Sequence, residues 1–218
     1  MTNSHPATSR KRQQTRERLM DAAYELFADE GVHATSIEAV AEAAGFTRGA
    51  FYSNFESKNE LFFALADREW SIRLGIVRTV IAEFTDFEAS GTLEQQVSAL
   101  LVRIFTALPD DRRWELISRE FELLALRDPD IAPQYLAHKQ EFQAQLADVL
   151  MTAARTFSVE FTLAPSDATT FLTLMHEHAI EEAMLSHTDD VQGATRDEML
   201  RILPTLVSHF TRRATPGG

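Results

Sequence analysis

Residues 35–58 read TSIEAVAEAAGFTRGAFYSNFESK, and the spacing of small, capping and aromatic residues in this stretch decides the fold. Thr35, with Glu38 three residues on, has the form of a capping box that opens a helix, and Gly45 closes it. Thr47 caps a second helix that runs only to about Phe55, before Ser57 and Glu60 open another. Ile37, Ala41, Gly45 and Phe51 fall at relative positions 1, 5, 9 and 15. A small residue at Ala41 lets the second helix cross close above it. Gly45 supplies the positive φ that reverses the chain, and Phe51 with Val40 locks the crossing. Two short helices joined in this way describe a helix-turn-helix.

Outward from that stretch the chain is helical in both directions. Leu19, Ala23, Leu26 and Phe27 put an apolar stripe on a first helix that ends at Gly31. A long helix runs from Lys58 to about Phe84, and further helices are expected at 92–107, opened by Thr92 and Gln95, then at 111–127, 131–156, 166–187 and 195–213, the last opened by Thr195 and Glu198. Pro204 falls inside the final helix and predicts a kink there. Residues 158–164, SVEFTLA, alternate like a strand but have no evident second strand to pair with, so they read as an extended linker. The fold class is therefore all-α, with about nine helices: a three-helix head and a larger helical body. The expected domains are a flexible basic arm at 1–14, a helix-turn-helix domain at 15–57, a larger helical domain at 58–213, whose effector-binding and dimerisation role is implied only by the family resemblance given below, and a disordered tail at 214–218.

The 218 residues are 44% hydrophobic with fifteen Phe and no Cys, which suits a helical core and excludes disulfides, thiolate metal sites and cysteine nucleophiles. No apolar run approaches a membrane span, and no apolar stretch follows the basic start, so the expectation is a cytoplasmic protein without a membrane partner. The net charge is −12, yet residues 1–18 carry Arg10, Lys11, Arg12, Arg16 and Arg18 against Glu17 alone. One end of the chain suits phosphate while the remainder repels it.

The second short helix is the expected recognition element. Arg48 has the donors to bridge guanine O6 and N7, Thr47 reaches a base or a phosphate, and Gly49 and Ala50 leave room for the backbone to approach DNA. Tyr52, Asn54 and Lys58 are polar residues at its far end and at the next helix start, where phosphate contacts fix register. On spacing alone, the same residues also fit ordinary solvated positions on a compact three-helix unit, or a head that contacts protein instead of DNA. No nucleophile elbow, phosphate-binding loop or dinucleotide fingerprint is present. His176, Glu177 and His178 are the densest His and acid cluster, but residues two apart point about 200° away from each other on a helix. No enzyme activity, metal or cofactor is expected.

The segment from Arg16 to Leu65 strongly resembles the DNA-binding domain of the TetR family of bacterial transcriptional regulators. The elements that carry the resemblance are Thr35, the Ala44–Gly45 turn, the G-x-x-Y-x-x-F run at Gly49, Tyr52 and Phe55, and the Ser57–Lys58 entry to the fourth helix. The resemblance implies phosphate contacts from Thr35, Tyr52 and Lys58, and base contacts from Thr47, Arg48 and Ala50. Ser53 and Asn54 depart from the commonest pattern, which leaves the fold intact but blocks transfer of a known operator sequence.

The resemblance further implies a divergent helical body that holds an effector pocket and a dimer interface, and a repressor that releases a double-stranded DNA operator. The last two helices carry broad apolar faces that suit a two-fold four-helix bundle, with Phe171, Met175, Ile180, Leu203, Val207 and Phe210 as interface candidates. The alternative is that these faces complete the core of a single protomer. The pocket candidates are Trp70, Phe105, Trp114, Phe121, Phe142 and Met175, which suit an apolar or aromatic effector. Glu120, Glu122, His138 and His176 are candidates for its polar contact.

Overall fold

The computed structural model describes residues 5–84, 92–109 and 112–214. Among them are nine helices: α1 (His5–Glu30), α2 (Ile37–Ala43), α3 (Arg48–Tyr52), α4 (Lys58–Glu83), α5 (Leu93–Ala107), α6 (Arg112–Arg127), α7 (Ala132–Thr156), α8 (Pro165–Leu185) and α9 (Val191–Phe210). The all-α expectation holds, with one addition. The 158–164 segment is not a lone linker, because β1 (Val159–Phe161) pairs antiparallel with β2 (Thr211–Arg213), with Glu160 opposite Arg212. The expected arm at 1–14 also differs. From His5 onward the chain is already α1, while residues 1–4, like 215–218 of the expected tail, lie outside the described residues.

Two compact units divide the chain. The first comprises Met1–Glu69 and Arg113–His138, and the second Trp70–Arg112 and Lys139–Gly218. The unit that contains the helix-turn-helix is thus larger than the expected 15–57 domain, because most of α6 and the start of α7 belong to it. Its core is aromatic: Phe62 stacks on Phe121 at 3.5 Å between ring centroids, with Trp114 at 6.2 Å on Phe62, and Phe121 is fully buried. Removing such large rings from water supplies the main driving force for closing short helices onto one another.

In the second unit α5 and α8 both lie against α9. Its apolar residues form separate clusters: Leu74, Phe84, Val149 and Phe157 in one, Ala179, Met199 and Leu203 in another, and Ile180, Ala183 and Val191 in a third. The final helix starts at Val191, earlier than Thr195 suggests, because Asp190 caps it by accepting from the Gly193 N–H at 2.8 Å. Helix α9 continues through Pro204. At α5 the expected capping box is present, with Thr92 and Gln95 bonded reciprocally.

Candidate nucleic-acid interface

The turn between α2 and α3 is built by local backbone chemistry. Gly45 takes φ +73, its N–H donates to Glu42 O, and the Phe46 N–H donates to Ala41 O at 2.8 Å. These are the two bonds of a Schellman motif, in which a glycine past the helix end satisfies the last carbonyls. Thr47 then caps α3, its Oγ1 accepting from the Ala50 N–H at 3.2 Å. Phe51 is fully buried with its ring edge-on to Tyr52 at 5.5 Å, so α3 is anchored by one aromatic and presents its opposite side to solvent.

Two arginines of α1, which the sequence places only in a basic stretch, hold this turn. Arg16 donates to Asn54 O, lies 4.0 Å over the Phe55 ring and pairs with Glu60 at 3.6 Å. Arg18 donates to Ala44 O at 2.7 Å and lies 4.6 Å from the Phe46 ring. Nothing in the local pattern identifies these long-range contacts, since they join residues 26 and 38 positions apart.

The candidate contact residues divide sharply by exposure. Thr47, Arg48, Gly49 and Tyr52 are exposed and Ala50 is half-buried. A Cβ added at Gly49 meets nothing nearer than Thr47 Oγ1 at 3.8 Å, so the head's own packing does not demand a glycine there. Arg48 pairs with Glu38 of α2 at 2.7 Å and its Cζ stands 5.5 Å from the Tyr52 ring centroid. The hydrogen bond to Tyr52 and then the Glu38 carboxylate raise the guanidinium pKa above its ordinary value, so Arg48 is a permanent cation.

Three expectations need correction. Thr35 is 1% exposed and does not cap α2, because its hydroxyl donates back to Gly31 O at 2.8 Å and to Leu26 O at 3.3 Å. Ser36 is the cap instead, accepting from the Ala39 N–H. Asn54 is 8% exposed and not a polar tip, since its Nδ2 donates to Ala50 O at 2.8 Å. Lys58 is half-buried, with Nζ donating to the carbonyls of Val32 (2.6 Å), His33 (3.3 Å) and Thr35 (3.0 Å). Burial pushes its pKa down. The ammonium closes the α1–α2 connection, whose orphan carbonyls it satisfies.

A brace from α6 reaches the same connection. Glu120 accepts from the Val32 N–H at 2.7 Å, and a Cβ on Gly31, which has φ +91, would come within 3.0 Å of its Oε2. Arg113 pairs with Glu25 and with Asp29 of α1. Glu120 is therefore engaged within the first unit, as is His138, whose ring stacks on Phe63 at 4.3 Å and whose Nδ1 lies 3.1 Å from Asp67.

The six pocket candidates are found in these contacts. Trp114 and Phe121 stack with Phe62, Trp70 and Phe142 pair at 4.9 Å, and Phe105 and Met175 pack beside Met199 and Leu203. His176, stacked against Phe105, has its pKa pushed down to about 4 by burial and then by the Arg73 charge, so its ring is neutral. Of the interface candidates, Leu203 is fully buried and Ile180 is buried in its own cluster, whereas Phe171, Met175, Val207 and Phe210 are half-buried, Phe171 meeting Phe210 at 5.8 Å. The large apolar residues that α8 leaves exposed are Leu174 and Leu185.

Fold and site together define a helix-turn-helix regulator of transcription. The profile described as "Bacterial regulatory proteins, tetR family" matches residues 19–65. The chain is 30% identical over 147 residues to the HTH-type transcriptional activator FasR of Mycolicibacterium smegmatis, covering 56% of this chain and 67% of that one. It is 46% identical over 55 residues to the HTH-type transcriptional regulator AcrR of Shigella flexneri, covering 25% of this chain and 26% of the relative. Among solved structures, the fatty acid degradation regulator FadR of Bacillus halodurans superposes with a TM-score of 0.64 at 17% identity, covering 87% of this chain and 94% of that one. SmeT, the repressor of the Stenotrophomonas maltophilia multidrug efflux pump SmeDEF, superposes at 0.58 with 23% identity, covering 93% and 94%. The chain belongs to the TetR family of bacterial transcriptional regulators.

Proposed function

We propose that the chain is a homodimeric, sequence-specific repressor that leaves a palindromic operator when a small apolar or aromatic effector binds its helical body, and that it carries out no catalysis. The observation that carries the reading is the exposed start of α3. Thr47, Arg48 and Gly49 stand free of the core while Phe51 anchors the helix behind them, which suits the docking of a recognition helix in the major groove. Thr47, Arg48 and Ala50 read bases, and Tyr52 contacts phosphate. Leu174 and Leu185, eleven residues apart and so on one stripe of α8, support pairing of two copies. A regulator of similar fold is described in complex with stearoyl-CoA and another with choline, which supports a ligand-responsive body without naming its ligand. FasR is an activator, so the sign of regulation is tested separately from DNA reading.

Selection of bound duplexes from a randomised pool, at two salt concentrations, tests the reading. The expected result is an inverted repeat with half-sites about one DNA turn apart, and a loss of about 1–3 kcal/mol in preference on Arg48→Ala. Salt-sensitive binding with no preferred sequence would refute it.

A further inference from the structure

We propose that Glu38 is a specificity-determining positioning residue: together with the Tyr52 ring, its carboxylate presets Arg48 to read a base edge. The inference rests on the DNA-reading function proposed above. Glu38 lies in the first turn of α2 and Arg48 is the first residue of α3, and the Schellman turn at Gly45 brings them together. The Nη1–Oε1 distance is 2.7 Å, and the two side chains remain 63% and 54% exposed. So open an ion pair contributes little to folding, which leaves its close geometry without a stability role.

A guanidinium has five donors in one plane, and Glu38 engages only one edge of it. Donors enough remain to bridge guanine O6 and N7 side by side. An unheld arginine loses rotamer freedom when it docks, whereas one fixed by a carboxylate on one side and an aromatic face on the other has lost much of that freedom already. The same carboxylate is repelled by phosphate whatever the sequence. Glu38 thus penalises every duplex alike and offsets the penalty only where Arg48 meets its base, which raises the ratio of specific to non-specific binding.

The experiment uses the duplex that the wild-type chain selects from a randomised pool, together with its single-base variants. Binding is measured for wild type, Glu38→Gln, Arg48→Ala, the double variant, and Glu42→Gln, which removes a charge one turn further along α2. Glu38→Gln is expected to narrow discrimination at the base position that depends on Arg48 by about three- to five-fold, the size of a well-formed exposed pair. It is expected to add nothing to that discrimination in the Arg48→Ala background, and Glu42→Gln is expected to shift all duplexes together. If Glu38→Gln shifts all duplexes together without narrowing discrimination at that position, or acts equally with and without Arg48, Glu38 is only a surface charge and the inference fails while the DNA reading stands. A wild-type chain that selects no duplex overturns the reading itself and this inference with it.

Discussion

The pair α2–α3 and the pair α8–α9 are each two helices joined by a short turn, and they are held by different means. Helices of seven and five residues are too short to persist on their own, so each end of α2 and α3 is fixed by a named interaction: Ser36, Gly45, Thr47 and the arginines of α1. Helices of 21 and 20 residues bury apolar side chains repeatedly along their length, and no single end decides whether they form. Short helices are specified by position, and long ones by the accumulated burial of a face.

The largest test of that contrast is a matched truncation. Phe51→Ala removes a fully buried ring from the short pair and should cost about 3–5 kcal/mol, with loss of specific DNA binding. Met175→Ala, at a half-buried site in the long pair, should cost under about 2 kcal/mol by urea denaturation. Equal losses would break the comparison.

Next in size is a pH effect confined to the body. His176 has a folded pKa of about 4 against 6.5 unfolded, so between those values the unfolded chain binds a proton that the folded chain refuses. Its contribution is lost as pH falls through that window, is constant above 6.5, and falls no further below about 4. Substituting Gln should make the urea midpoint less sensitive to the change from pH 7.5 to pH 5, and an unchanged sensitivity would contradict the neutral ring.

Two glycines should respond with opposite signs. Gly45→Ala forces a side chain into φ +73 beside Arg18, at a cost of about 1–2 kcal/mol. Gly75→Ala, inside α4 with nothing within 4 Å of a new Cβ, should stabilise by about 0.5–1 kcal/mol. Thermal melts of the two variants give the comparison directly. The smallest effect is expected at the β-ribbon, where Glu160→Ala breaks an exposed pair with Arg212 and should change stability by less than about 1 kcal/mol.

Much of the head was legible because its signals are local. Gly45, Thr47 and Phe51 each act within a few residues of themselves, and the structure gives each the part its spacing predicts. Thr35 and Ser36 show where that ends. Either residue can cap, and what decides for Ser36 is that Gly31 O and Leu26 O already hold the Thr35 hydroxyl. Lys58 looks like a surface residue until the distant carbonyls of Val32, His33 and Thr35 meet its ammonium, and Asn54 until its side chain turns back to Ala50 O and Arg16 reaches its backbone carbonyl. In the body, periodicity located the helices but could not say whether Leu203 faces a second copy or its own core, since both demand the same apolar stripe. The strand Thr211–Arg213 is three residues long and directly follows a helix, too brief for alternation to register.

The bonds from α6 to the end of α1 bear on any attempt to exchange DNA specificities between relatives. A graft cut in chain order, after residue 57, would carry the motif but leave behind Glu120, which holds the Val32 N–H, Arg113, which holds Glu25 and Asp29, and the Lys58 ammonium. The transplanted piece would arrive with its α1–α2 connection unpaired. The portable part is discontinuous, Met1–Glu69 with Arg113–His138, so a chimera that keeps its recognition helix in place needs three junctions, after 69, before 113 and after 138.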